Sequence, residues 1–575
     1  MTEPEIMDNT ACFRGSASSE RMRRFRTGLD RMLSRRWVRI LFLIISGGLT
    51  GACMTFSSFP LMLAEWISLI PTCLVIFRLA DDLAKKSTGR KRFRTFVRLW
   101  VYGFIFFMSE YLVVYHWFVS MYPLEFTGIS KLGAAAVVLL GWVGLSILGS
   151  LAGGVVFALA VFVCSGKLCT HHPFLRIIAP ALIYPLFEIF ETFFWTGVPW
   201  NRLGLGQLAG NFTLTLLSSS LFGPYFVTFL LVLTSSLISH GVICEKLPRR
   251  CAAAAAVFFI NAVLGLLVLL LSPGGQTVRF AAAQGNFSSS AKWSATASET
   301  LETYVKLTKK ASWQGAQAVI WPETALTATV TDTNQLNQKL SDLAKEENIL
   351  LSVGCFEHIG GESCNVIRTY LPDGTRAGNS YIKRHLVPFG EYVPYRDFFM
   401  TLLPPLTEIS MLDSDLGEGD DPALTEFGQT SIGWLICFDS IYETLSTDTV
   451  RAGADIIMMS TNDSWFGTSR ALYMHLSQAR LRAIENLTPV VRSANTGISA
   501  TVDRFGRIVS VSEPDTETVV CSDLELSRGG SLYSKTGNLF ILLSLAAVAA
   551  IIVTDCCLSV REASARKRSG GESDT

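Results

Sequence analysis

Cys437 ends the apolar run SIGWLIC. Elsewhere in the chain Glu323 follows AVIW and a proline, Lys383 opens the segment KRHLVPFGEYVP, and Glu391 stands inside that segment. A cysteine attacks as its thiolate, a form favoured by a nearby cation, and a carboxylate can accept the proton it gives up. Lys383 and Glu323 are of the types that fill those two roles. Each residue also has an ordinary reading. A free cysteine is commonly a small buried hydrophobe, Glu323 could be a solvated loop carboxylate, and Glu391 could belong to a structural ion pair. Trp321-Pro322 fixes an extended backbone ahead of Glu323, which favours a positioned carboxylate. His385 and His475 read as structural residues, with a thiol–histidine pair as the alternative catalytic reading. The 13 cysteines show no CxxC or Cys/His ligand spacing, so the expectation is no metal site and no cofactor.

The elements that must carry these groups are short β-type runs beyond Pro273-Gly274-Gly275: 278–283, 318–321, 349–353, 366–371, 432–437, 455–460, 490–493, 498–502 and 508–511. Helical stretches are expected at 298–312, 333–347 and 473–486. Pro372-Asp373-Gly374 and Asp503-Arg504-Phe505-Gly506 have the chemistry of hairpin connections. Glu323, Cys437, the pair Asn462 and Asp463, and the pair Arg492 and Asn495 all fall at the ends of such runs. Open sheets react at the carboxyl ends of their strands, so four strand ends deliver an acid, a thiol and several hydrogen-bonding groups toward one rim.

Ahead of this half the chain is too apolar for an ordinary soluble protein. Of its 575 residues 49% are hydrophobic and 17% charged, and the mean hydropathy is +0.36. A span needs roughly 20 apolar residues to cross about 30 Å of hydrocarbon. Such runs are expected near 37–56, 59–78, 97–118, 134–164, 174–194, 220–240, 252–271 and 537–554. Lys and Arg crowd the tail before the first run, the loop after the second (Lys85 to Arg94), the loop after the sixth (Lys246, Arg249, Arg250) and the C-terminal end (Arg566 to Arg568). By the positive-inside rule these stretches are cytoplasmic and residues 275–534 lie outside the cytoplasm. The expected organisation is a cytoplasmic basic tail (1–36), a seven-helix transmembrane domain (37–272), an extracytoplasmic α/β domain (275–534), a last transmembrane helix (537–554) and a cytoplasmic tail (555–575). The first span reads as an uncleaved anchor. The basic tail could also be read as a nucleic-acid arm, but no nucleic-acid motif accompanies it, and no nucleic-acid partner is expected.

The blocks WPETA (321–325), KRHLVPFGEYVP (383–394), ICFDSIYE (436–443), STNDSWFG (460–467) and RSANTGISA (492–500) resemble the successive blocks of the carbon–nitrogen hydrolase, or nitrilase, superfamily. TGVPWNRLG (196–204), QGNF with KW (284–293) and HLVPFGEYVP are similar to its membrane-bound apolipoprotein N-acyltransferase branch, over roughly residues 37–554. The resemblance implies a bundle of about eight transmembrane helices carrying an α-β-β-α sandwich in a bacterial inner membrane, with the sandwich in the periplasm. It implies a catalytic trio of Glu323, Lys383 and Cys437, with Glu323 as general base and Lys383 stabilising the oxyanion. Glu391 would position the lysine or the incoming amine, and Asp439, Phe438, Asn462 and Arg492 would support the site. Trp293, Trp200 and Trp465 are expected along the lipid approach, where aromatic residues also serve as simple anchors. The implied reaction moves an acyl chain from a phospholipid, through a Cys437 thioester, to the α-amine of a diacylglyceryl-cysteine at an apolipoprotein N-terminus. A membrane-tethered amidase or nitrilase and a catalytically silent lipoprotein-binding scaffold are the rival readings. The family commonly carries Cys-Tyr-Glu or Cys-Phe-Glu at the nucleophile; Cys437-Phe438-Asp439 departs from it, which puts the role of the shorter carboxylate in question. Cys355 and Cys364 are candidates for a disulfide in an oxidising compartment.

Overall fold

In the computed structural model, residues 17–85, 92–124, 129–193, 198–288, 296–397, 401 and 415–570 are described. Among them eight helices are long and apolar enough to cross a membrane: Arg36–Phe56, Phe59–Ala84, Phe93–Met121, Lys131–Ser165, Pro173–Phe193, Pro224–Ile243, Leu247–Leu271 and Leu539–Glu562. The basic tail that precedes them is itself helical over Ala17–Ser34. The second span is broken at Leu69, between Phe59–Ser68 and Ile70–Ala84, where Pro71 opens the second segment. A proline fits the first turn of a helix and disrupts its interior.

Lipid tails offer helices no hydrophobic reason to associate, so close contact depends on small residues. Gly47 and Gly51, one turn apart on the first span, let it touch the third. A Cβ at Gly47 would lie 2.3 Å from the Phe106 carbonyl oxygen, and one at Gly51 2.6 Å from that of Glu110. Between the fifth and sixth spans residues 198–209 are almost entirely buried. Irregular backbone at this depth is tolerated where protein covers it and satisfies its polar groups. Gln207 does part of this work: its Nε2 donates to Glu65 Oε2 (2.6 Å) and the Met62 carbonyl (3.0 Å), and its Oε1 accepts from Trp66 Nε1 (2.9 Å).

The rest of the chain forms two six-stranded sheets. The strands are β1 (Thr277–Gln284), β2 (Ala318–Ile320), β3 (Leu350–Ile359), β4 (Glu362–Tyr370), β5 (Tyr381–Ile382), β6 (Leu424–Phe427), β7 (Thr430–Ile436), β8 (Ile456–Thr461), β9 (Val490–Ala494), β10 (Ala500–Val502), β11 (Ile508–Val511) and β12 (Thr518–Glu525). The orders are β12-β1-β2-β3-β4-β5 and β11-β10-β9-β8-β7-β6. Each sheet has a parallel centre, β1-β2-β3 in one and β7-β8-β9 in the other, and antiparallel flanks. Phe280, Ala282, Ile320 and Leu350 of the first sheet meet Ile432, Trp434, Ile456 and Val491 of the second in a shared apolar layer. The alternate residues point outward. Ala281, Ala283 and Val319 pack under the helices Ala297–Trp313 and Gln335–Glu347. On the second sheet the covering helices are Glu443–Arg451 and Arg470–Asn486, and their apolar core is continuous with that of the membrane bundle. The result is an α-β-β-α sandwich whose second sheet is the one docked on the spans.

β5, β6, β12 and the helix Glu443–Arg451 are additions to the elements expected from the sequence. The two turn expectations have hydrogen bonds to match: Gly374 N to the Leu371 carbonyl (2.9 Å), and Gly506 N to the Asp503 carbonyl (2.8 Å). Cys355 and Cys364 are not bonded. Register pairs Cys355 with Val366 and Cys364 with Glu357, and both thiols are free in the apolar layer under the first sheet's helices.

Candidate active site

Glu323 leaves the first sheet just after β2. Gly354 of β3 runs so close beneath it that a Cβ there would lie 2.2 Å from the Pro322 carbonyl oxygen. Ser460 of the second sheet donates to the Trp321 carbonyl (3.1 Å) and so ties this segment across the sandwich. Lys383 follows β5, and its Nζ lies 2.8 Å from Glu323 Oε1 and 2.8 Å from Glu391 Oε2. Asn365, in the middle of β4, donates from one Nδ2 to Glu323 Oε1 (2.7 Å) and Glu391 Oε1 (2.9 Å). Glu391 also accepts from Val387 N (2.9 Å), which folds the 387–391 turn back onto the lysine. Burial disfavours the ammonium of Lys383, but Glu323 and Glu391 outweigh it and hold the group well above the ordinary lysine range.

Cys437 comes from the other sheet, at the point where β7 turns into a short 3-10 segment. Its φ is +47°, a left-handed conformation that costs a non-glycine residue energy and recurs where a nucleophile is thrust out of a sheet. Burial pushes its thiol up, Glu323 pushes the same way, and Lys383 pulls it down; the thiol ends well above its ordinary range. A thiol held this way keeps its proton at neutral pH and would need a base in order to act as a nucleophile.

Behind Cys437, Asp439 is fully buried and accepts three hydrogen bonds: from Ile436 N (2.9 Å), His385 N (2.8 Å) and Tyr381 Oη (2.8 Å). The shorter side chain thus spans the β7 turn, the Lys383 segment and β5 together. Burial raises its carboxyl to about 6, with Lys383 and these donors acting against the shift. A second group supports the turn from below. His475 places Nε2 3.3 Å from the Cys437 carbonyl oxygen and 3.1 Å from Ser440 Oγ, while Nδ1 lies 2.8 Å from Asp463 Oδ1. Arg492 donates to Asp463 Oδ2 (2.7 Å). Burial opposes the Asp463 charge, but Arg492 and His475 overcome it and hold the carboxyl below its usual range.

Glu323, Lys383, Glu391 and Cys437 are therefore brought together, with Asp439 immediately behind. Arg492 is fully buried in the pair with Asp463 and lies beneath the rim. Asn462 is half-buried, with Oδ1 3.4 Å from Ser464 N. Phe438 packs edge-on against Tyr442, ring centroids 5.6 Å apart. Trp200 corrects an expectation. Instead of lining an open lipid approach it is buried, 5.6 Å from both Trp117 and His475 and 6.0 Å from Phe466 between ring centroids, because the sandwich docks over it. Trp465 is half-buried, and Trp293 lies outside the described residues. Sequence reasoning missed Asn365, Tyr381 and the grouping of Asp463 with His475 and Arg492. The one visible signal was Asn365 as a polar residue inside the strand run ESCNVIRTY.

A half-buried cysteine, a buried lysine and two carboxylates gathered between the sheets of an α-β-β-α sandwich, carried on a helical membrane bundle, define a membrane-bound protein of the carbon–nitrogen hydrolase class. Family comparison agrees: residues 279–533 match the carbon-nitrogen hydrolase model, and residues 46–237 match that of the apolipoprotein N-acyltransferase N-terminal domain. A relative from Geobacter metallireducens named apolipoprotein N-acyltransferase is 33% identical over 65% of this chain and 73% of its own length. One so named from Methylococcus capsulatus is 29% identical over 76% and 84%, and one from Pseudomonas syringae pv. tomato 28% identical over 82% and 88%. The chain belongs to the apolipoprotein N-acyltransferase family. Among solved structures, Saccharomyces cerevisiae Nit3 of the nitrilase superfamily is similar at 18% identity over 44% of this chain and 91% of that one, with a TM-score of 0.35. An amidase from Nesterenkonia sp. is similar at 17% identity over 44% and 93%, with a TM-score of 0.34.

Proposed function

We propose that this protein N-acylates apolipoproteins, taking the acyl chain from a membrane phospholipid and holding it on Cys437 as a thioester. The observation that carries the reading is Lys383 held between Glu323 and Glu391, facing a cysteine in a left-handed turn on a sandwich docked against membrane spans. Glu323 takes the thiol proton as Sγ attacks the ester carbonyl carbon. Lys383 Nζ stabilises the oxyanion. The C–O bond of the ester then breaks, Glu323 returns the proton to the leaving glycerol oxygen, and a lysophospholipid departs. In the second step the neutral α-amine of a diacylglyceryl-cysteine attacks the thioester carbonyl. Its proton passes to Glu323 and on to the departing sulfur, leaving an amide and the free thiol. A covalent nucleophile divides one difficult transfer into two easier ones. Glu391 and Asn365 fix the lysine, and Asp439 fixes the turn that carries the sulfur.

The test is product analysis. Purified protein given phospholipid and a diacylated lipopeptide with a free α-amine should yield N-acylated peptide and lysophospholipid in equal amounts. Free fatty acid formed at the same rate with or without the peptide would favour a hydrolase instead. The clusters of Lys and Arg support a cytoplasmic position for both termini and a periplasmic one for the sandwich. With Cys251, Cys556 and Cys557 replaced by Ser, a cysteine at Gln429 should react with a membrane-impermeant thiol reagent in intact spheroplasts, and one at Lys246 should not. The reverse pattern overturns the orientation.

A further inference from the structure

A cavity of about 350 Å³ opens where the seventh span enters the sandwich. One wall is apolar: Leu264, Leu267 and Leu271 are spaced three and four apart and so share a face of the last two turns of that helix. Leu267 and Leu271 are 45% and 74% exposed, as expected of side chains that face acyl chains. The opposite rim is polar and carries Arg504, Arg528 and Ser531. Arg504 is buried and oriented: it donates to the Pro273 carbonyl and to that of Ser272 (3.2 Å), stacks on Phe505, and meets Glu525 at 3.1 Å, while its Nε is buried without a hydrogen-bond partner. Glu525 offsets one of the two guanidinium charges, and the exposed Arg528 supplies the remaining positive charge.

The helix ends at Leu271, so the change from leucine wall to arginine rim coincides with the end of the apolar span, at the level where hydrocarbon gives way to headgroups. Guanidinium donors suit phosphate oxygens, and the volume lies within the range of small-molecule sites. We propose that this cavity binds a phospholipid of the same leaflet, its phosphate at Arg504 and Arg528 and one acyl chain along Leu264, Leu267 and Leu271. The site is separate from the catalytic one. The helix Arg470–Asn486 faces Cys437 through His475, and Leu487 at its far end lines the cavity; twelve residues of helix put about 18 Å between them. Since Arg504 also grips the 272–273 carbonyls that join bundle to sandwich, the bound lipid would brace that junction.

The test uses the full chain, stripped of lipid in detergent and then titrated with dioleoyl phosphatidylglycerol, with occupancy read by native mass spectrometry. Arg528→Ala, at an exposed position, removes the free charge, and Leu267→Trp fills the apolar wall. Each should weaken binding of one lipid about tenfold, the loss expected for one charge-assisted contact or an obstructed wall. Cys437→Ala should leave that lipid in place. Dioleoylglycerol, which lacks the phosphate, should not compete for it, and neither should inorganic phosphate, which lacks the chains. Equal lipid retention in the wild type and both variants overturns the proposal, as does displacement of the lipid by inorganic phosphate alone.

Discussion

The two sheets of the sandwich have nearly the same strand pattern but different covers, and their chemistry divides along that line. The first sheet lies under helices that belong wholly to the sandwich, and it carries Glu323, Asn365 and Lys383, the groups that would handle protons and charge in the proposed reaction. The second sheet lies under helices that share a core with the membrane spans, and it carries Cys437, the group that would hold the acyl chain. In the proposed reaction the proton-handling groups would thus come from the sheet covered only by the sandwich's own helices, and the acyl carrier from the sheet docked on the spans. The buried charges near the site differ too. On the first sheet's side Glu323 and Glu391 converge on Lys383, while Glu357 and Arg368 of the same sheet form a separate pair (2.9 Å). On the second sheet's side one buried pair reaches the membrane segments: Arg202, from the segment after the fifth span, pairs with Glu443 six residues beyond Cys437, and Tyr225 at the start of the sixth span donates to the same carboxylate (2.6 Å).

The largest effect should come from breaking that tie. Arg202→Ala leaves Glu443 buried with its charge poorly matched, and loss of one partner of a buried pair costs about 3 to 5 kcal/mol. Thermal unfolding should show this as a marked loss of stability, with activity falling in step with docking. The double variant Arg202→Met with Glu443→Leu should recover much of the stability, because an apolar pair of similar volume removes both desolvation costs. If the single variant unfolds like the wild type, the second sheet is not fastened to the bundle through this pair.

A smaller effect concerns Asp439, where the two sheets meet. Its carboxyl stands at about 6 in the fold against an ordinary 3.8. The folded state therefore holds this proton more tightly than the unfolded chain does. That contribution to stability is complete below about pH 4 and is lost as the pH rises to about 6, an amount on the order of 2 to 3 kcal/mol. Unfolding from pH 4 to pH 7 should accordingly show the wild type losing stability relative to Asp439→Asn. Parallel profiles for the two proteins would remove Asp439 from the account of the turn. Above pH 6 the ionised carboxylate is the acceptor for its three donors, so Asp439→Ala should be less active at pH 7 than Asp439→Glu.

Much of this division is legible in the sequence, for a physical reason. Apolar runs of span length and β-type runs ending in Glu, Cys or Asn are local patterns, and strand ends are where a sheet exposes chemistry. What stayed hidden depends on distant parts of the chain meeting. β12 pairs with β1 across more than 200 residues, and β6 is four residues long. Asn365 looks like an ordinary strand residue until β4 lies beside the Lys383 segment. Asp463, His475 and Arg492 come from a loop, a helix and a strand, with nothing in their spacing to group them. Trp200 follows a proline at the exit of a span, a setting that suggests the membrane interface; its burial follows from the docking of the sandwich, which local sequence does not encode.

The central claim is that Cys437 carries the acyl chain while the first sheet manages the proton. Its most direct test is the intact mass of the full-length protein after exposure to phospholipid without acceptor. The wild type should gain one acyl group, located on Cys437, removable by neutral hydroxylamine and discharged to an amide by a diacylated lipopeptide, and Cys437→Ala should gain none. Glu323→Ala and Lys383→Ala should form the adduct about 10² to 10⁴ and about 10² to 10³ times more slowly. A folded wild-type protein that gains no acyl group from any phospholipid, or an adduct that persists in Cys437→Ala, would contradict the account.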